Sequence, residues 1–168
     1  MDYRTGIGYD IHKLKAGILL RIGGVQIPFS KGLVGHSDGD VLLHALVDAI
    51  LGGMAEGDIG THFSDRDPKW KNANSRLFVK HACKIAERKK FAIHFVDCMI
   101  IAEEPKLSPY YKEIQRSIAD LLSVPISHIS VKAKTQERIG EIGKGKAIAA
   151  VALATIYQRS ARLMEGLL

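Results

Sequence analysis

The chain has 168 residues, of which 46% are hydrophobic and 25% charged, as expected for one globular domain spanning residues 1–168. No apolar stretch approaches the roughly 18 residues that cross a bilayer, and the start lacks a signal-peptide pattern. We therefore expect a cytoplasmic protein with no membrane partner. The net charge is +6 with scattered lysines, which favours phosphorylated small molecules over nucleic acid as ligands.

The first predicted strand covers residues 3–12 and ends in a segment that carries Asp10 and His12. Side chains alternate between the two faces of a strand, so these two residues lie on the same face. A β-hairpin over residues 19–27 is predicted next, with its turn at Gly23-Gly24.

A helix is predicted from Asp38 or Asp40 to Gly52-Gly53, and His44 lies about one turn inside it. Together with the carboxylate and imidazole of the first strand, His44 completes a set of three zinc ligands. Three protein ligands leave a fourth position open, which is typical of catalytic rather than structural zinc. The spacing alone leaves the alternative open that both histidines are surface or core residues without a metal.

The middle of the chain alternates irregular and periodic segments. Residues 57–74 are polar, rich in Gly and Asp, and are predicted as a long functional loop. A helix is predicted over residues 75–89 and a strand over residues 95–102, whose nearly continuous apolar run indicates burial on both faces. Cys83 and Cys98 fall within these two elements and are expected to be free, buried thiols.

Ser108-Pro109 is predicted to begin a further helix, with serine as the N-cap. A strand is predicted over residues 129–133. Residues 147–157 are ambiguous, because the alanines favour a helix while the larger residues alternate as in a strand.

Five segments follow one another in order: Gly8-Tyr9-Asp10-Ile11-His12, His36-Ser37-Asp38-Gly39-Asp40 with His44 beyond it, Gly57-Asp58-Ile59-Gly60, Pro105-Lys106 and Val131-Lys132-Ala133. Together they resemble the 2-C-methyl-D-erythritol 2,4-cyclodiphosphate synthase family, over about residues 6–157. The resemblance implies an α+β fold with helices packed on one face of a mixed β-sheet. It also implies a homotrimer with active sites between adjacent subunits, and it makes residues 147–157 a strand.

The resemblance implies a phosphorus–oxygen lyase that releases CMP. In 4-diphosphocytidyl-2-C-methyl-D-erythritol 2-phosphate, the 2-phosphate attacks the β-phosphorus and closes the 2,4-cyclodiphosphate ring. The implied cofactors are Zn²⁺ on Asp10, His12 and His44, and Mg²⁺ or Mn²⁺ bound to the diphosphate through Glu137. Such a reaction depends on positioning and on charge neutralisation.

The resemblance also assigns roles around the substrate. His36 and Thr135 would stabilise the transition state, although as isolated residues they are better explained as a polar residue before a helix and a cap at a strand end. Substrate contacts are implied for Asp10, His12, His36, Ser37, Asp58, Ile59, Gly60, Phe63, Asp65, Asp67, Ala102, Pro105, Lys106, Leu107, Ala133, Lys134, Thr135, Glu137 and Lys144. Among them, the segment 63–67 matches a flap and the segment 102–108 matches a cytosine pocket.

The chain departs from the family pattern at three positions. Lys134 stands where the family frequently has a small hydroxyl residue. Glu141 and Lys144 replace the aromatic residue and the arginine that some members use in a central cavity for isoprenoid diphosphates. Lysine keeps the charge but lacks the bidentate fork of arginine.

Two other functions are compatible with parts of the pattern. A zinc phosphohydrolase would use a metal-bound water and would need a further general base. A trimeric binding protein that senses a nucleotide or an isoprenoid diphosphate would be expected to have lost a metal ligand or Glu137, and this chain has all four residues.

Overall fold

A five-stranded mixed sheet forms the centre of the molecule. The computed structural model describes residues 2–64 and 67–159. The strands of the main sheet are β1 (Tyr3–Ala16), β4 (Lys31–Val34), β5 (Phe91–Ile101), β6 (Ile129–Lys134) and β7 (Ala147–Gln158), and β2 (Leu20–Ile22) and β3 (Val25–Ile27) form a separate hairpin. The order in the sheet is β4-β1-β7-β5-β6, and only β5 and β6 run parallel. This confirms the predicted mixed sheet and the strand prediction for residues 147–157.

Helices cover one face of this sheet. They are α1 (Val41–Gly53), α2 (Ile59–His62), α3 (Arg76–Arg88), α4 (Tyr111–Leu122) and α5 (Gly140–Gly143), with single 3-10 turns at Pro68–Trp70, Ser108–Tyr110 and Ile126–His128. The long helix α1 packs on β1 and β7, while α3 and the β2–β3 hairpin cover its other side. As a result 11 of its 13 residues are buried, so α1 is a core helix that is apolar almost all round. Within the described ranges, none of the helices is long and apolar enough to cross a membrane.

The contact between β1 and α1 depends on two glycines. A Cβ atom on Gly6 would lie 2.0 Å from the carbonyl oxygen of Ala49, and one on Gly8 would lie 1.9 Å from that of Ala45. Real Cβ atoms do not approach backbone atoms so closely, so only glycine allows the helix to lie this near the strand.

The other face of the sheet carries large apolar side chains that the single chain leaves open. Ile7 is 69% exposed, and Tyr3, Tyr9 and Ile11 on the same face are exposed as well. Strand β5 follows this pattern, since its residues alternate between a buried face and a half-buried one. The prediction that this strand is buried on both faces is therefore wrong for the single chain.

Several element boundaries differ from those predicted. Strand β1 continues past His12 to Ala16, because its last residues pair with β4. The predicted loop 57–74 contains α2 and a 3-10 turn, which lack a readable apolar period. Ser108 lies inside a 3-10 turn rather than at an N-cap. Both cysteines are free, as expected, but only Cys98 is buried, and Cys83 is half-buried.

Candidate metal centre and neighbouring cavities

Asp10, His12 and His44 converge on one point. Asp10 and His12 are two residues apart on β1 and face α1, from which His44 projects. Asp10 Oδ2 lies 2.8 Å from His12 Nε2 and 2.9 Å from His44 Nδ1, and the two ring nitrogens are 3.0 Å apart. These three residues could hold a metal ion.

The geometry of this cluster fits a small divalent cation. Tetrahedral zinc with bonds of about 2.0 Å places its ligand atoms about 3.3 Å apart, a few tenths of an ångström wider than the separations in this cluster. Burial raises the pKa of Asp10, but hydrogen bonds to His12 and His44 outweigh it and hold this pKa well below its usual range. The carboxylate is therefore ionised at neutral pH, as a metal ligand must be.

The second nitrogen of each imidazole also has a partner. Burial lowers the pKa of His12, but hydrogen bonds to Asp10 and to the backbone of Val34 raise it above the ordinary value. His44 Nε2 lies 2.9 Å from the hydroxyl oxygens of both Ser37 and Ser75. Partners of this kind orient metal-binding histidines in known sites.

The cluster lies in the wall of a cavity of about 400 Å³. Its lining contains eight of the predicted site residues: Asp10, His12, His36, Ser37, His44, Ile59, Gly60 and Phe63. His36 Nδ1 is buried and has no hydrogen-bond partner among residues 2–64 and 67–159. A buried polar atom without a partner is uncommon in folded proteins.

The same cavity has four lining residues that the sequence did not predict: Asp48, Ser64, Trp70 and Phe78. The carboxylate of Asp48 accepts a hydrogen bond of 2.7 Å from the backbone N–H of Ile59 and thereby ties α2 to α1. Asp48 lies one helical turn beyond His44, and that spacing is the only signal in the sequence that could have found it.

The acidic residues of the segment 58–67 have other surroundings. Asp58 is exposed and caps α2, since its carboxylate accepts hydrogen bonds of 2.8 Å from the backbone N–H and the hydroxyl of Thr61. Asp67 begins a 3-10 turn and pairs with Lys69 at 2.8 Å. Neither lines the metal cavity, and Asp65 lies outside the described residues.

A second cavity, of about 580 Å³, contains the other main group of predicted contacts: Ala102, Pro105, Lys106, Leu107, Ala133, Lys134 and Thr135. The hydroxyl of Tyr111, which the sequence did not predict, accepts a hydrogen bond of 2.7 Å from the Ala133 N–H and holds one wall. This cavity and the metal cavity share no lining residue.

Glu137 and Lys144 lie near the second cavity rather than near the metal cluster. Glu137 is exposed, and its carboxylate accepts a hydrogen bond of 3.0 Å from the Thr135 hydroxyl. Lys144 lines a further cavity of about 370 Å³ with Glu103, Glu104 and Arg138, and its ammonium group lies 3.3 Å from Glu141. One chain therefore does not bring Thr135 or Glu137 into the lining of the metal cavity.

Comparison with known sequences identifies the family. A sequence model of the YgbB family matches residues 3–157. The chain belongs to the YgbB family. Curated YgbB-type relatives in Burkholderia mallei (strain SAVP1) and Burkholderia pseudomallei (strain K96243) are named 2-C-methyl-D-erythritol 2,4-cyclodiphosphate synthase. Each is 48% identical over 161 residues, which cover 96% of this chain and 99% of the relative.

Solved structures give the same family relationship. The bifunctional IspDF from Campylobacter jejuni matches with a TM-score of 0.91 and 38% identity, over 95% of this chain and 43% of that longer one. The Plasmodium falciparum IspF–CDP complex matches with a TM-score of 0.83 and 40% identity, over 94% and 97% of the two chains. The YgbB fold is thus shared over nearly the whole of this chain.

Proposed function

We propose that the protein is a metal-dependent lyase that closes 4-diphosphocytidyl-2-C-methyl-D-erythritol 2-phosphate to the 2,4-cyclodiphosphate and releases CMP. One observation carries this proposal. The Asp10–His12–His44 cluster is assembled in a cavity within a chain that matches synthases of that name at 48% identity over almost their full length.

The reaction forms one phosphorus–oxygen bond and breaks another. An oxygen of the 2-phosphate attacks the β-phosphorus, and the oxygen that bridges to the α-phosphate leaves with CMP. Both reacting groups are anionic, so the protein must hold them together and neutralise their charge. The net charge of +6 favours the binding of such a substrate.

The metal cavity would hold a phosphate group of the substrate. Asp10, His12 and His44 would bind Zn²⁺, which as a Lewis acid polarises phosphate oxygens. The imidazole of His36, which lines the cavity, would provide a hydrogen-bonding group for the reacting phosphates. The nearby segment at Ile59 and Gly60 lines the cavity where the methylerythritol part would lie.

The second cavity would hold the cytidine diphosphate part. Backbone groups of the segment 102–107 would contact the base, and the ammonium groups of Lys106 and Lys134 would face the phosphates. The Thr135 hydroxyl would donate a hydrogen bond to the diphosphate. The exposed carboxylate of Glu137 would hold Mg²⁺ or Mn²⁺, which commonly takes one carboxylate together with substrate phosphates and water.

A homotrimer would join the two cavities into one site. Two observations support this assembly. The metal cavity and the second cavity share no lining residue in one chain, and the open face of the sheet exposes Tyr3, Ile7, Tyr9 and Ile11. Large exposed apolar surfaces of this kind mark contacts between proteins. Packing of these faces against one another would let each active site form between adjacent subunits.

The proposal is tested by incubating the protein with the cytidyl-diphosphate substrate and following the products by ³¹P NMR, with and without a zinc chelator. We expect CMP and the cyclic product to appear together and only when the metal is present. Release of inorganic phosphate without cyclisation would instead identify a phosphohydrolase. Binding without turnover would identify a binding protein.

A further inference from the structure

Ser75 is the N-cap residue of α3, but its side chain does not cap the helix. A serine in this position normally accepts a hydrogen bond from a backbone N–H of the first turn. In the described part of the chain, the Ser75 hydroxyl makes no such bond. It is fully buried instead, 2.9 Å from His44 Nε2. Its hydroxyl is therefore engaged with the metal cluster rather than with the helix.

Asp38 fixes the direction of the hydrogen bonds at Ser75. The Ser75 hydroxyl donates a short hydrogen bond to Asp38 Oδ1, and the Ser75 backbone N–H donates to Asp38 Oδ2 at 3.2 Å. A carboxylate only accepts, and a hydroxyl has one proton to give. The Ser75 oxygen must therefore accept the hydrogen bond from His44, which places a proton on Nε2.

This arrangement leaves Nδ1 as the His44 nitrogen that would bind the cation. Nδ1 faces the cluster, 2.9 Å from Asp10 Oδ2 and 3.0 Å from His12 Nε2, and a bound cation would take the place of its hydrogen bond with the Asp10 carboxylate. The hydroxyl of Ser37 is also 2.9 Å from His44 Nε2. A hydroxyl can either donate or accept, so Ser37 on its own does not select a tautomer.

The loop that carries Asp38 is itself held in place. The Asp38 backbone N–H donates to the carbonyl oxygen of Ala73 at 3.0 Å, directly before the start of α3. The carboxylate therefore stays opposite Ser75 without depending on solvent-exposed contacts.

We propose that Asp38 and Ser75 are positioning residues that act through His44. The chain of hydrogen bonds from Asp38 to Ser75 to His44 holds the tautomer whose Nδ1 binds a divalent cation. This inference rests on the proposed metal site. Partners in the second layer of known metal sites make the ligand more basic, and their loss costs about 10–100-fold in metal affinity.

The test is the zinc dissociation constant of the metal-loaded protein, measured by competition with a chromogenic chelator. In Ser75→Ala we expect this constant to rise by about 10–100-fold. Asn74→Ala is the matched control. Asn74 is exposed at the same helix start, and its side-chain oxygen accepts a 3.0 Å hydrogen bond from the Arg76 N–H. If Ser75 mattered only for α3, both variants would bind zinc like the parent protein.

A double-mutant cycle tests whether Asp38 acts through Ser75. Asp38→Asn alone should weaken zinc binding, because an amide no longer forces the Ser75 proton away from His44. Added to Ser75→Ala, it should have little further effect, since residues that act as one unit are not additive. Losses that simply add would overturn the relay. Thermal unfolding of the metal-free variants checks that each one folds, and Asp38→Asn alone decides the outcome if Ser75→Ala does not.

The outcomes separate this inference from the proposed function. If the parent protein neither binds zinc nor forms the cyclic product, the metal site itself is wrong. If the parent protein does both and Ser75→Ala has parental zinc affinity, only the positioning role is wrong.

Discussion

The metal cavity and the second cavity differ in how deeply the single chain buries their predicted site residues and how firmly it holds them. At the metal cavity, the ligand atoms are already within hydrogen-bond distance of one another, and His44 is 8% exposed. At the second cavity, Thr135 and Glu137 are exposed and hydrogen-bonded to each other. The metal cavity is built from the core of the chain, and the second cavity lies on its surface.

Because of this difference, we expect that mutations can change metal binding and catalysis independently. In the proposed site, metal affinity would depend on contacts among β1, α1 and the start of α3, all within one chain. In the proposed assembly, turnover would depend in addition on the meeting of two surfaces. Variants can therefore remove the metal, separate the subunits or weaken only the diphosphate end.

The largest effect is expected from His44→Ala, which removes one of three ligands. Retained zinc should be lost, and turnover should fall by at least about 10³-fold, because a Lewis acid supplies several kcal/mol to the transition state. Elemental analysis measures the retained zinc, and the ³¹P NMR assay measures turnover. Light scattering should find the assembly unchanged. His128→Ala is the control, since that histidine lies outside the cluster. Parental activity without zinc in His44→Ala would refute the metal assignment.

Ile7→Asp should prevent the subunits from assembling. Assembly would bury the new charge without a partner on the open face of the sheet, which opposes association. Light scattering should therefore report a smaller species, and turnover should be lost. Zinc affinity per chain should be retained, because the ligands belong to one chain. Leu77→Asp is the control: Leu77 is also exposed, at 52%, but it lies on α3. An Ile7→Asp protein that stays assembled and active would contradict the proposed interface.

Glu137→Gln should affect only the diphosphate end. Loss of the carboxylate charge should raise the Mg²⁺ concentration for half-maximal rate by about tenfold, equivalent to about 1.4 kcal/mol of metal binding. Zinc affinity should not change, since Glu137 is outside the metal cavity. Titration of the rate with Mg²⁺ tests this, and an unchanged requirement would remove Glu137 from the proposed metal ligands.

Asp97→Asn should have the smallest effect. Lys132 on β6 pairs with Asp97 on β5, next to the strand end that reaches the second cavity. Both side chains are over a third exposed, so the loss should be at most about 1 kcal/mol of unfolding free energy at pH 7.

The pH dependence of this effect has a defined sign. The hydrogen bond from Lys132 lowers the pKa of Asp97 below the ordinary 3.8. The pair therefore stabilises the fold above that pH, and the stabilisation disappears as the pH falls through the lowered pKa. Urea unfolding of both proteins between pH 7 and pH 3 measures the difference. A gap that widens towards acid would show that the ion pair is not its cause.

The sequence predicts the metal cluster well, because it depends on short-range rules. The two-residue spacing of Asp10 and His12 and the helical position of His44 are both visible in the pattern, and the structure brings the three together. The elements that follow a clear period, such as α3, are also predicted to within about a residue.

Other features depend on contacts that no local pattern encodes. The hydroxyl of Ser75 looks like a helix cap in the sequence, and only the fold brings it to His44. Asp48 looks like an ordinary residue of a helix. The apolar sequence of β5 does not determine whether a helix of the same chain or another subunit packs against its second face. These are tertiary relationships, which propensity and spacing do not contain.

The glycine at position 8 is a structural requirement of the metal centre that its ligands alone would not reveal. Gly8 lies two residues before Asp10, and a Cβ atom on it would lie 1.9 Å from the carbonyl oxygen of Ala45, next to His44. Any side chain there would push the strand and the helix apart and widen the distance between the ligands that they carry. The spacing of the proposed ligands therefore depends on Gly8, although no atom of this residue would contact the ion.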